Sequence, residues 1–98
     1  MYNIIITPLA HIDEEDAYIW YERKLTGLGD DFLNSLENAY KRISENPYYF
    51  GFIDSKKEIR DYLLPRFPFL IVYRIKNDTV EIITIHHAKK HPLKKYGK

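Results

Sequence analysis

The sequence predicts an α+β domain in which helices pack on one face of a mostly antiparallel sheet. Three observations predict this class: a pair of β-rich runs late in the chain, two helical segments separated by a glycine-containing break, and a short apolar strand ahead of the first helix. The predicted order is strand, helical hairpin and then a three-stranded antiparallel meander. We expect a single domain over residues 1–98, with residues 93–98 as a loose basic tail.

The first helix is predicted from its start signal. Residues 2–7 form a short apolar strand that ends at Thr7-Pro8. Threonine is a good N-cap and proline is preferred at the first helical position, so a helix should run from Pro8 to Lys24 or Leu25. The acidic residues at 13–16 should form a solvated face. The predicted buried stripe consists of Ala10, Ala17, Trp20 and Tyr21.

The second helix has the clearest periodicity in the chain. Gly27 is expected to cap the first helix, and a new helix should run from Leu28 or Asp30 to Glu45, where Asn46-Pro47 ends it. Its apolar residues recur at helical spacing: Phe32, Leu36, Ala39, Tyr40 and Ile43. A short connection between two amphipathic helices predicts an antiparallel pair packed on the sheet.

The last three strands follow an aromatic loop, residues 48–52, which should cover one end of the core. A strand at 57–64 precedes two longer runs, Phe69–Ile75 and Thr79–His87, which read as a hairpin with Asn77-Asp78 at its turn. The register that follows pairs Ile75 with Val80, Arg74 with Glu81, Tyr73 with Ile82, and Phe69 with His86.

Composition limits the function classes. The chain has no cysteine, which excludes disulfides and cysteine-ligated metals and suits a reducing cytosol. No apolar run approaches membrane-spanning length, and the N-terminus does not resemble a secretory signal, so we expect a cytoplasmic protein without a membrane partner. The first half is net acidic and the second half net basic. Either the second half attracts a polyanion or acidic partner, or the halves neutralise each other in the fold.

Most enzyme templates are missing. The sequence contains no glycine-rich phosphate loop and no nucleophile elbow, and adjacent strand residues such as His86 and His87 face opposite sides of a sheet. We therefore expect no metal and no cofactor. What remains is a cationic set with nearby histidines and a tyrosine: Lys56, Lys57, Arg60, Arg66, Lys89, Lys90, Lys94, Lys95, His87, His91 and Tyr96. Such groups can clamp phosphates and move a proton, hold DNA or an acidic peptide, or keep the surface soluble.

The order and spacing of several motifs resemble a known superfamily. The motifs are Trp20-Tyr21 ahead of Gly27-Leu28-Gly29, Asn46-Pro47, Ile59-Arg60, Arg66-Phe67-Pro68-Phe69 with Ile71 and Tyr73, and Ile85-His86-His87 followed by basic residues and Pro92. Over about nine tenths of its length the chain resembles the ParE/RelE toxins of bacterial type II toxin–antitoxin systems. The resemblance implies a compact α+β toxin that is neutralised by a cognate antitoxin wrapping over it.

The resemblance implies two alternative targets. ParE-like members poison DNA gyrase, whereas RelE-like members cleave mRNA on the ribosome. The Arg-Phe-Pro-Phe segment and the ending His87, Lys90, Pro92 are closer to the ParE-like, plasmid-stabilisation branch. That branch usually has arginine at the position of Lys90, and lysine does not form the bidentate fork of a guanidinium. An inactive relic that only binds its antitoxin is a third alternative.

Each alternative implies its own site residues. In a RelE-like ribonuclease, the catalytic candidates are Arg60, Arg66 and His87. Residues for binding the target or its phosphates are Lys56, Lys57, Lys89, Lys90 and Tyr96. The antitoxin is expected on the second face of the hairpin, because Leu70, Val72, Ile83 and Ile85 are too apolar for water. A homodimer through the same face is the expected substitute when the antitoxin is absent.

Overall fold

The computed structural model describes residues 1–89, and the predicted tail at 93–98 lies outside this range. The elements are β1 (Asn3–Ile6), α1 (Pro8–Lys24), α2 (Leu28–Glu45), β2 (Phe52–Asp54), β3 (Ile59–Leu63), β4 (Phe69–Lys76) and β5 (Thr79–His87). Within residues 1–89 the strands form one sheet in the order β1-β5-β4-β3-β2. Strand β1 runs parallel to β5, and the other neighbours are antiparallel. The predicted α+β class is confirmed.

Two strand predictions differ from the structure in detail. Strand β2 lies partly within the segment predicted as an aromatic loop, because Phe52 and Asp54 pair with Arg60 and Ile59 of β3. Strand β3 begins at Ile59 rather than at residue 57. The reason is that Glu58 has a left-handed backbone with φ of 57°, which completes a turn between β2 and β3.

Thr7 fixes the start of α1 as the sequence predicts. Its hydroxyl oxygen accepts a hydrogen bond from the Ala10 N–H at 3.3 Å, and Pro8 occupies the first helical turn. The same hydroxyl lies 2.8 Å from the carbonyl oxygen of Ile82 and 3.1 Å from that of Ile83. Thr7 therefore joins the beginning of the first helix to the last strand.

The prediction that Gly27 caps the first helix is wrong. Helix α1 ends at Lys24, and its C-cap is Leu25, whose N–H donates to the carbonyl of Tyr21 at 3.1 Å. Gly27, with φ of 93°, instead lies at the N-cap of α2. The carboxylate of Glu22 accepts hydrogen bonds from the N–H groups of Gly27 at 2.9 Å and Gly29 at 3.0 Å. These bonds satisfy donors at the start of α2, which has no cap from its own side chains.

The core on the helix side of the sheet is centred on four aromatic rings. The rings of Tyr21 and Phe67 lie 4.9 Å apart between centroids, and Phe32 lies 5.3 Å from Phe67 and 5.2 Å from Phe69. Most of these contacts are edge-to-face, the arrangement that aromatic quadrupoles favour. Trp20 was predicted in the buried stripe but is 48% exposed, because its neighbour Tyr21 points into the aromatic cluster.

The hairpin register is confirmed near the turn and wrong beyond it. Val80, Glu81 and Ile82 pair as predicted, and Asn77 has the left-handed backbone of a tight turn, with φ of 57°. A register shift then leaves Ile83 as an extra residue, so that Phe69 pairs with His87 and not with His86.

The bulge at Ile83 is held by groups that lie far away in sequence. Besides Thr7, the carboxylate of Asp13 accepts hydrogen bonds from the Ile85 N–H at 3.0 Å and from the Thr84 hydroxyl. Glu14 accepts another from Tyr40, whose pKa is raised by burial and by this hydrogen bond. The acidic residues at 13–16 are thus only partly the solvated face that we expected.

Candidate functional site

Arg60 lies near the start of β3 and is held on several sides. It lies opposite Tyr73 of the neighbouring strand β4. Its guanidinium donates hydrogen bonds to the carbonyls of Tyr48, at 3.2 Å, and Phe50. The same group lies 4.0 Å from the ring centroid of Phe52 and 5.4 Å from that of Tyr48. Arg60 therefore orders the aromatic segment that precedes and enters β2.

Arg66 lies in the turn between β3 and β4, on the surface. Its side chain is 64% exposed, and its guanidinium is 3.8 Å from a carboxylate oxygen of Asp31 on α2. The guanidinium carbon is also 5.4 Å from the ring centroid of Phe67. An exposed pair at this separation contributes little to stability. Arg66 is therefore available to a partner.

His87 lies at the end of β5, beside a cavity of about 270 Å³. The cavity is bordered by Asp13, Asp16 and Trp20 of α1 and by Phe69 of β4. The rings of His87 and Phe69 are 5.0 Å apart between centroids, and the Nδ1 atom of His87 accepts a hydrogen bond from the Lys89 N–H at 3.2 Å. This corner of the molecule combines carboxylates with aromatic rings.

The predicted catalytic residues do not share a cavity. Arg60 packs against the aromatic segment, Arg66 lies over the N-terminal part of α2, and His87 borders the α1 cavity at the far end of β5. The target-binding candidates Lys56, Lys57 and Lys89 are exposed. Lys90 and Tyr96 lie outside the described residues.

The predicted antitoxin face requires two corrections. Ile85 is 4% exposed and belongs to the helix-side core, because the bulge places it opposite Ile71. Val72 is fully buried on the central strand. Leu70 and Ile83 are partly exposed and lie outside the helix-side core, as expected. The prediction assumed that side chains alternate between the two faces of the sheet through residue 83 without a break. It therefore could not distinguish the buried residues from the partly exposed ones.

Two further apolar residues share the face of the sheet opposite the helices. Leu63 pairs with Leu70 and is 58% exposed, and Ile5 pairs with Glu81 and is 52% exposed. We call Ile5, Leu63, Leu70 and Ile83 the outer-face patch. The sequence did place Leu63 on one side of its strand, together with Asp61, but the position of Ile5 depends on the parallel pairing of β1 with β5.

Charged groups are interspersed with the outer-face patch. Arg74 and Glu81 form the predicted cross-strand pair, with 2.6 Å between Nε and a carboxylate oxygen. Asp61 pairs with Val72 across β3 and β4, and burial raises the pKa of its carboxyl group. The outer face thus carries a carboxylate that is partly removed from water.

Residues 1–89 contain no group of three or more side chains arranged to hold a metal ion. Over the same residues, no helix is long and apolar enough to cross a membrane.

Comparison with known proteins identifies the family to which this chain belongs. Residues 4–92 match the profile of the family described as the ParE toxin of the type II toxin–antitoxin system, parDE. The chain belongs to the ParE toxin family. It is therefore a toxin of the type II toxin–antitoxin class, as the resemblance implies.

The fold of this chain also matches that of a chain in a solved structure. A chain from the chromosomal ParDE TA system from P. aeruginosa matches with a TM-score of 0.68 and 18% sequence identity, covering 91% of this chain and 98% of that one. A search of curated protein sequences found no significant match. At this identity the structural match establishes the ParE-like fold, and the family profile establishes the toxin class.

Proposed function

We propose that this ParE-family toxin acts in the cytoplasm by binding and poisoning DNA gyrase, and that a cognate antitoxin neutralises it by covering the outer-face patch. In this proposal the toxin contributes a binding surface and carries out no chemistry of its own. Family membership supports the toxin role. The engagement of Arg60 is the observation that favours binding over catalysis.

Arg60 is one of the catalytic candidates of the RelE-like alternative. To stabilise a reacting phosphate, its guanidinium would have to be free to approach that phosphate. Here the guanidinium donates to the carbonyls of Tyr48 and Phe50 and stacks on Phe52. Releasing it would break these contacts. Because Arg66 and His87 lie at separate places on the molecule, a reacting phosphate would not meet all three groups.

Two parallel assays on the purified toxin test the proposal. We expect the toxin to inhibit gyrase supercoiling and to trap cleavage complexes, while mRNA on translating ribosomes stays intact in a toeprinting assay. Codon-positioned mRNA cuts would overturn the proposal in favour of the ribonuclease. Inactivity in both assays would instead indicate the antitoxin-binding relic.

The His87→Gln variant makes the comparison quantitative. General acid–base catalysis contributes about 10²–10⁴-fold, so a ribonuclease that uses His87 should lose at least about a hundredfold in cleavage rate. For a gyrase poison we expect the inhibitory concentration of the variant to remain within about threefold of that of the wild-type toxin. Circular dichroism of the variant is the control for folding.

The outer-face patch supports the antitoxin half of the proposal. Neither helix packs on this face, and Leu63 and Ile5 are each about half exposed. Apolar side chains grouped on one face mark a surface that another chain covers. In the absence of the antitoxin, we expect two toxin chains to associate through this patch.

Sedimentation equilibrium tests the patch. We expect the wild-type toxin to dimerise and Leu63→Glu to weaken dimerisation at least tenfold, because the substitution buries a carboxylate in the interface. Tyr49→Glu is the matched control, since Tyr49 is an apolar residue that is 75% exposed and lies in the segment before β2. A wild-type toxin that stays monomeric at about 100 μM would contradict self-association through the patch.

A further inference from the structure

A second surface of the toxin is a groove of about 340 Å³ between α2 and the turn that joins β3 to β4. One wall is a stripe of α2 that contains Asn34, Ser35, Asn38 and Arg42. These residues recur at the spacing of one helix face. The stripe therefore presents amide and hydroxyl groups along the groove, with a guanidinium at its C-terminal end.

The opposite wall comes from β3 and the turn that follows it. It consists of Tyr62, Pro65 and Arg66, and the guanidinium of Arg66 lies 3.8 Å from Asp31 near the N-terminal end of the stripe. The groove thus has one guanidinium at each end, and the carboxylate of Asp31, which also lines the groove, pairs with Arg66. From Asp31 to Arg42 the helix rises about 16 Å.

The α2 stripe is unusual for an exposed helix surface. Asparagine and serine are weaker helix formers than alanine, lysine or glutamate, because their side chains compete for backbone hydrogen bonds. Asn34 and Asn38 are exposed, and in residues 1–89 the side chains of Asn34, Ser35 and Asn38 make no hydrogen bond to the protein. Their hydrogen-bonding capacity is available to a ligand.

The groups in the groove match an extended peptide better than a nucleic acid. An asparagine amide both donates and accepts, as the backbone of an extended peptide does, whereas a phosphate backbone only accepts. A site for single-stranded nucleic acid stacks successive bases on several aromatic rings, whereas Tyr62 is the one aromatic residue that lines this groove, and it already packs against Phe50 with 4.9 Å between ring centroids. The guanidinium at each end binds anionic groups in a bidentate manner, and an acidic peptide supplies such groups as carboxylates.

We propose that this groove binds an extended acidic segment of a partner protein. An extended chain rises about 3.3 Å per residue, so two carboxylates four or five residues apart span a length close to the helix rise from Asp31 to Arg42. Asn34 and Asn38 hydrogen-bond the backbone between them. The groove is distinct from the outer-face patch, and its ligand is defined by its chemistry alone, so the inference does not depend on gyrase as the target.

Nuclear magnetic resonance of the full-length ¹⁵N-labelled toxin tests the proposal. The probe is a seven-residue peptide with glutamate at positions 2 and 6, compared with the same peptide carrying glutamine at both positions. We expect the glutamate peptide to shift the side-chain amide resonances of Asn34 and Asn38 with a submillimolar Kd, and the glutamine peptide to bind at least fivefold more weakly.

Variants locate the binding. We expect Arg42→Gln and Arg66→Gln each to raise the Kd about fivefold, because each removes one charge-assisted contact. Lys41→Gln is the matched control, because Lys41 is an exposed cation on α2 next to Arg42 but does not line the groove. Its Kd should stay within twofold of the wild-type value.

The double variant Asn34→Ala/Asn38→Ala gives the sharpest test. Alanine is the better helix former, so we expect the midpoint of thermal unfolding to rise by a few degrees while peptide binding weakens. Opposite changes in stability and binding would not arise from a purely structural role of these residues.

Three outcomes would overturn the proposal. The first is equal binding of the glutamate and glutamine peptides, or no shift with either at 5 mM. The second is a loss of binding in Lys41→Gln as large as in the two arginine variants. The third is a twelve-residue oligothymidine that shifts the same resonances more strongly than the peptide, which would assign the groove to a nucleic acid. None of these outcomes bears on the gyrase assay.

Discussion

The two faces of the sheet differ in what covers them. On the helix side, Phe32, Ile71 and Ile82 are fully buried, and aromatic rings from both helices and from the sheet interlock. On the outer face, Leu63 and Ile5 are about half exposed and lie among charged side chains. The helix side carries the packing that stabilises the fold. The outer face bears apolar groups such as Leu63 and Ile5 that remain about half exposed, so they contribute less to the stability of the isolated chain.

The largest contrast in stability should come from truncating one apolar side chain on each face. Phe32→Ala should lower the free energy of unfolding by about 3–5 kcal/mol, because it removes a buried ring and leaves a cavity. Leu63→Ala should change it by no more than about 0.5 kcal/mol. Urea denaturation measures both. Similar losses at the two positions would show that the outer face also contributes to the core.

A smaller loss of stability is expected when one buried hydroxyl group is removed from the helix side of the sheet. The buried hydroxyl of Tyr73 donates to the carbonyl of Pro47 at 2.7 Å, and burial raises its pKa. Tyr73→Phe leaves that carbonyl without its donor and should lower the free energy of unfolding by about 1–2 kcal/mol. Tyr49→Phe, at a residue that is 75% exposed, is the control and should leave stability unchanged. Equal stability of Tyr73→Phe and wild type would mean that water replaces the donor.

The smallest change in stability, an increase, is expected when Asp61 on the outer face is substituted. Because burial raises the pKa of its carboxyl group, the native state binds this proton more tightly than the unfolded state. The stability contributed by the protonated group is therefore fully present below the ordinary aspartate pKa of about 4 and is lost as the pH rises through the native value. Asp61→Asn should then be slightly more stable than wild type at pH 7, and the difference should vanish near pH 3.

Thermal unfolding at the two pH values measures this difference. Glu37→Gln, on the exposed side of α2, is the matched control for the loss of one surface carboxylate. A variant at position 61 that is less stable than wild type at pH 7 would assign the carboxylate a structural role on the outer face.

Local sequence signals predicted the helices and the hairpin turn well. Thr7-Pro8 marks the start of α1, Asn46-Pro47 follows α2, and Asn77 adopts the left-handed backbone of its turn. In each case the residue type determines the local conformation. The bulge at Ile83 had no such signal, because the apolar alternation continues through it without a glycine. Its support comes from Thr7 and Asp13, which lie at least 70 residues away from Ile83 along the chain.

The candidate site was predicted less well for a related reason. The sequence identified cations such as Arg60, but whether a guanidinium faces solvent or folds onto nearby carbonyls depends on where β2 and β3 meet. Similarly, Ile85 was assigned to the wrong face because a single extra residue reverses the side on which later side chains lie. The groove along α2 was missed because asparagine and serine in a helix have no recognisable motif.

The parallel pairing of β1 with β5 also has a consequence for the order in which the protein folds as it is synthesised. Asn3–Ile6 hydrogen-bonds to Thr79–Ile82, so the first strand has no place in the sheet until almost all of the described chain has left the ribosome. Such long-range contacts form late, because the loop between them must close first. A partly synthesised chain therefore lacks a complete sheet, and the outer face is finished only after Thr79–His87 has left the ribosome.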